Sequence, residues 1–272
     1  MRQSRWLVPV SLAVLALATL DCSKKPKDDD ESAEPVAAKT EKAEKTEKAG
    51  EPAAAAAGAG TISGSVAFSG KAPEAAELPR KADPVCAAHP MKSNEVVVNA
   101  NGTLKDVLVR VAPGAVKGKF AAPDAPVMVK QEDCMYVPRV QGAVAGQVVQ
   151  IENMDKTMHN VHTYKGQETI LNQGQPAGSP AIKKDNVATE TATLKFKCDV
   201  HPWMTGFLVV TDHPFFQTTG ADGAFKLDKV PAGKYTVEAW HSKYGLKTAT
   251  VTVEPNKTAD LKITFDGTEK GE

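Results

Sequence analysis

Two short stretches hold most of the reactive side chains: Met158-His159-Asn160-Val161-His162 and Cys198-Asp199-Val200-His201-Pro202-Trp203-Met204. Cys198, His201 and Met204 follow one another at three-residue steps, as donors do when they line one tight loop. With His159 arriving from a second loop, the set is two imidazoles, one thiolate and one thioether. These are the ligands of a trigonal type 1 copper site with a weak axial sulfur. A structural zinc site built from His159, His162, Cys198 and His201 is the competing reading. It puts two histidines on extended chain and leaves Met204 without a role. On such a chain His162, three residues beyond His159, points to the opposite face. His89, His213 and His241 have no ligand spacing and read as surface or packing histidines. No Cys-x-x-Cys-His, phosphate loop or nucleophile–base motif is present, so the chain reads as a metal-binding protein rather than an enzyme.

A ligand loop needs strands on both sides. Thr191–Lys197 and Gly206–Thr211 supply them, and Gln147–Glu152 precedes His159 by a short turn. Thr61–Phe68 alternates. Glu95–Val98 and Lys105–Val111 flank Asn101-Gly102 and read as a hairpin. Pro126–Lys130 is a further strand, and the polar stretch 164–188 reads as a long loop. Many short strands with turn signals between them imply an all-β, antiparallel Greek-key sandwich over 61–212. A second unit at 213–268 alternates at Phe225/Leu227, Tyr235/Val237/Ala239, Thr248–Val253 and Leu261–Phe265, with turns at Asp222-Gly223 and Pro231-Ala232-Gly233. Trp240 and Tyr235 read as core. At roughly 55 residues the unit is small for an independent domain, so it is expected to pack on the first.

The chain has 272 residues, 33 basic and 33 acidic, and this balance argues against nucleic acid as a partner. Arg2 and Arg5 precede an apolar run from Trp6 to Leu20, about 15 residues long where a membrane span needs about 20. Residues 1–21 therefore read as a signal peptide, with no transmembrane helix in the mature protein. Ala16-Leu17-Ala18 fits ordinary cleavage, whereas Thr19-Leu20-Asp21-Cys22 resembles a bacterial lipoprotein box with Cys22 as the lipidated residue. Residues 22–60 are almost wholly small or charged and read as a disordered linker. Of four cysteines, Cys86 and Cys134 are left as a disulfide pair if Cys22 is lipidated and Cys198 holds metal.

The Cys-x2-His-Pro-aromatic-Met loop and the His159-Asn160-Val161-His162 segment are similar to those of amicyanin, a cupredoxin with a short ligand loop. The resemblance implies one copper ion held by His159, Cys198, His201 and Met204. It also implies that Asn160 braces the loop and brings its backbone N–H near the cysteine sulfur. The function implied is one-electron transfer to a redox protein partner. Electrons would leave through an exposed edge of His201, framed by Pro202 and Trp203. The alternative is a copper-binding or delivery protein without redox turnover. The second unit, with its Asp222-Gly223-Ala224-Phe225 and Pro231-Ala232-Gly233-Lys234-Tyr235 turns, resembles carboxypeptidase-regulatory or transthyretin-like sandwiches. The whole chain resembles exported, often lipid-anchored bacterial proteins that carry a plastocyanin-like domain followed by such a sandwich. That implies a periplasmic or cell-envelope location, with membrane contact through the lipid alone.

Overall fold

The structure is a computed structural model that describes residues 58–271; residues 1–21, read as a signal peptide, Cys22 and the stretch 23–57 of the expected linker lie outside the described residues, and the last two residues of that linker, Ala59 and Gly60, belong to the first strand. The chain is all-β. Its strands, in order, are β1 (Ala59–Phe68), β2 (Val107–Val111), β3 (Val127–Glu132), β4 (Met135–Val137), β5 (Val140–Val144), β6 (Val149–Asn153), β7 (His159–Lys165) and β8 (Glu168–Gln175). There follow β9 (Ile182–Lys184), β10 (Ala192–Lys197), β11 (Thr205–Thr211), β12 (Phe216–Thr218), β13 (Ala224–Pro231), β14 (Gly233–His241), β15 (Gly245–Val253) and β16 (Thr258–Phe265). A 3₁₀ turn at Arg80–Ala82 leads into one helical turn, α1 (Pro84–Ala87), and none of the described helices is long and apolar enough to cross a membrane.

The strands make four sheets, which pair into two sandwiches around separate apolar cores. Sheets β5-β11-β10-β7-β8 and β4-β3-β6-β9 enclose Ile151, Val161, Leu194, Phe196 and Leu208, together with Cys198 and Met204. Alternation decides which residues enter this core, because side chains on a strand point to the two faces in turn. In β10, Leu194 and Phe196 are buried while Lys195 between them is exposed. Sheets β13-β1-β16 and β12-β2-β14-β15 enclose the second core, which includes Ile62, Val109, Phe225, Val237 and Phe265.

The division expected at residue 213 does not coincide with the division between the sandwiches. β1 lies between β13, antiparallel, and β16, parallel; β2 lies between β12 and β14. The five strands after residue 212 leave each sheet without its central member, and strands from before residue 112 complete both. The metal-loop sandwich is thus inserted between β2 and β12. The Asn101-Gly102 turn forms, with Gly102 at φ 76°, but Val98 and Leu104 share only an isolated bridge. At Asp106, φ 59°, the chain swings away and delivers β2 to the other sheet. The stretch read as a long loop holds β8 and β9. β8 is an edge strand with mostly exposed side chains, so it carries no apolar alternation to betray it.

The two sandwiches meet in a third apolar cluster formed by Leu108, Val140 and Val209, with Phe207, Phe216 and Trp240 packed against it. Tyr235 faces its own sandwich's core, whereas Trp240, five residues on and therefore on the other face of β14, packs edge-on to Phe207 with ring centroids 5.3 Å apart. Arg110 of β2 reaches across to donate to the Val210 carbonyl at 3.2 Å. Gly142 permits this approach: a Cβ there would lie 2.3 Å from the Phe216 ring.

Candidate metal centre

His159 opens β7, Cys198 follows the last residue of β10, and residues 199–204 turn the chain into β11. β10 lies between β7 and β11, with Lys197 opposite both His162 and Thr205. This register brings the start of β7 beside the ligand loop. The Met204 N–H donates to the His201 carbonyl at 2.9 Å and closes the loop as a turn. Beneath it Tyr136, buried against Phe196, places its hydroxyl 3.1 Å from the Asn160 carbonyl and 3.0 Å from that of Lys197. Gly206 makes room for this ring, because a Cβ there would sit 2.7 Å from the Tyr136 Cβ.

Three donor atoms converge. His159 Nδ1 and His201 Nδ1 are 2.9 Å apart, and Cys198 Sγ lies 4.0 Å from the first and 3.6 Å from the second. His159, Cys198 and His201 are 0%, 1% and 2% exposed, so the cluster is shut off from solvent. Met204, fully buried, belongs to the same apolar cluster as Cys198. Asn160 links β7 to the ligand loop. Its backbone N–H points at Cys198 Sγ from 3.5 Å, and its side chain takes the Asp199 N–H and donates to the Asp199 carboxylate at 2.9 Å. His162 points away from the cluster. Its ring stacks on Tyr164 and bonds Asp199 and Thr169. The His-x2-His pair that a zinc site would need therefore does not converge. His89 is exposed, while His213 and His241 are buried in the other sandwich and accept backbone N–H groups.

Two carboxylates that the sequence reading missed complete the centre. Asp155 accepts from His159 Nε2 at 2.8 Å, and Asp83 accepts from His201 Nε2 at 3.1 Å. Each fixes a ring with Nδ1 turned inward, the arrangement by which carboxylates orient metal-bound histidines. Burial opposes charge on His159, yet Asp155 and Cys198 outweigh it and raise the pKa to about 8. Burial also opposes the Cys198 thiolate, but His159 and the N–H groups of Asn160, His201 and Val200 bring its pKa below the usual thiol value. Burial lowers the pKa of His201. The donor set, dry and biased toward thiolate, suits a soft metal ion.

The expected exposed edge of His201 is not there. The segment carrying Asp83 and α1 lies over the ring, and Trp203 packs on it with centroids 5.1 Å apart. The Trp203 indole N–H donates to the Cys134 carbonyl at 3.1 Å. Cys86 and Cys134 are disulfide-bonded, with Cα atoms 5.7 Å apart, and this bond ties the covering segment down.

Residues 208–266 match the family model of the carboxypeptidase regulatory-like domain. No curated protein matches the chain. Among solved structures, the chain is similar to a purple cupredoxin from Nitrosopumilus maritimus, at 21% identity over 31% of this chain and 98% of that one, TM-score 0.27. It is also similar to a reduced tryptophan-to-tyrosine mutant of amicyanin, at 24% identity over 38% of this chain and 97% of that one, TM-score 0.26. A third is the copper-containing nitrite reductase from Thermus scotoductus SA-01, at 22% identity over 38% of this chain and 26% of that one, TM-score 0.30.

Proposed function

We propose that this chain is a type 1 copper protein that transfers single electrons at the cell envelope, with His159, Cys198, His201 and Met204 as ligands. The observation that carries the proposal is the convergence of two imidazole Nδ1 atoms and one cysteine sulfur inside a dry pocket. Bound copper would supply a one-electron couple. The chain's own part is to hold the donors still, so that little rearrangement accompanies the change of charge. Asp155 and Asp83 lock the two rings, Asn160 ties β7 to the ligand loop, and Tyr136 links both backbones from below. Exchange occurs with a redox protein, and the lipid on Cys22 holds the protein at the envelope.

Voltammetry of the copper-loaded protein tests this reading. A reversible one-electron wave is expected. Copper that binds tightly but gives no wave, and that passes to an apo-acceptor instead, would replace electron transfer with copper delivery.

A further inference from the structure

Asp83 does two jobs with its two oxygens. Oδ1 caps α1, accepting from the N–H groups of Val85 at 2.8 Å and Cys86 at 3.2 Å. Capping of this kind needs one oxygen and is served equally well by serine. Oδ2 has no part in it. It accepts from Thr157 Oγ1 at 2.7 Å and from His201 Nε2 at 3.1 Å, across 118 residues of sequence. Its side chain is 18% exposed and that of His201 2%, so water screens the pair poorly.

The carboxylate is also held from below. The cysteine whose N–H it accepts is bonded to Cys134, and the Cys134 N–H donates to Asp155, the carboxylate on the other histidine. Arg80, three residues before Asp83 and 2% exposed, donates to the Asp133 carbonyl and closes the same segment. A single disulfide thus joins the segment that carries Asp83 to the turn whose Cys134 N–H holds Asp155.

We propose that Asp83 is a positioning residue for His201: its Oδ2 holds the ring as the Nε2–H tautomer with Nδ1 free to ligate, and its charge favours the oxidised, more positive state of the centre. This rests on the copper reading above. The covering segment also keeps a partner from touching the His201 ring.

Asp83→Ser tests the proposal, because serine keeps the cap but is too short to reach His201. Asp83→Asn keeps the volume and removes the charge. Two readouts are needed, one of which requires no metal. In the metal-free protein, long-range ¹H–¹⁵N spectra should show His201 as one Nε2–H tautomer in the wild type and as a mixture in Asp83→Ser. Unchanged amide spectra of the carboxypeptidase-regulatory-like sandwich would confirm that the variant is folded. In the copper-loaded protein, both variants should be easier to reduce. The equilibrium with a reference couple should move about tenfold or more toward Cu(I), about 59 mV for one electron. Asp83→Glu should recover part of that shift. An unchanged tautomer, or an unchanged redox equilibrium in a copper-loaded variant, overturns the proposal. If the wild type takes up no copper, the copper reading fails, and the tautomer alone decides the role of Asp83.

Discussion

Replacing Cys86 and Cys134 together by alanine should cost the metal-free protein about 4 kcal/mol. The two residues are separated by 48 positions, and cross-linking a loop of that length removes denatured-chain entropy worth about 4 kcal/mol at 25 °C. Cys86 and Cys134 are 0% and 1% exposed, so loss of their packing adds to the entropic effect. The assay is urea unfolding of wild type and double variant at equal concentration, both stripped of metal, since a bound ion would stabilise the native state by mass action. A fall in the urea midpoint is expected, with a somewhat steeper slope because the denatured chain exposes more surface without its cross-link. Because the bond is buried, a dithiol without denaturant should leave it intact on the timescale at which it reduces an exposed disulfide. A loss below about 1 kcal/mol would refute the reasoning, as it would mean that the covering segment is held equally well without its cross-link.

Protonation of His241 should weaken the protein in mild acid. Burial, followed by the charge of Arg139, lowers its folded pKa to about 4. Between about pH 6.5 and 4 the unfolded chain therefore binds the extra proton and the folded one does not. The contribution is full above pH 6.5 and falls by about 3 kcal/mol on the way to pH 4; His241→Asn should lose that part of the pH dependence in unfolding curves. Tyr136→Phe should cost about 1–3 kcal/mol by leaving buried polar groups around the ligand loop without their partner, measured by thermal unfolding. Gly142→Ala should cost about 1–3 kcal/mol, because its Cβ would meet the Phe216 ring at 2.3 Å where the sandwiches join. With copper bound, Met204→Leu should keep the colour and raise the potential, and Met204→Gln should lower it, as voltammetry would record.

The ligand loop was legible in sequence because it is local: Cys198, His201 and Met204 lie within one turn between two alternating strands. His159 was legible because it opens a strand directly after a turn. The buried face of alternating strands such as β10 and β13 was legible too, since a period of two fixes it, whereas edge strand β8 has no such alternation. Strand partners were not. β1 and β2 read as part of the metal-binding unit, yet they pair with strands more than a hundred residues away. A pattern of burial says which face is inside, not which core receives it. Asp83 was hidden for a similar reason. Beside Pro84 it looks like a helix cap, which it is, and nothing local marks the second oxygen that reaches His201. The same long-range contact is why the ring expected to lie open is covered.

The central claim is that His159, Cys198 and His201 form one copper–thiolate centre. Titrating the metal-free protein with Cu(II) while recording the visible spectrum tests it most directly. An intense absorption in the red should grow and saturate at one copper per chain, and it should be absent in Cys198→Ser. A complex that stays colourless, or a band that survives the loss of Cys198, would contradict the account.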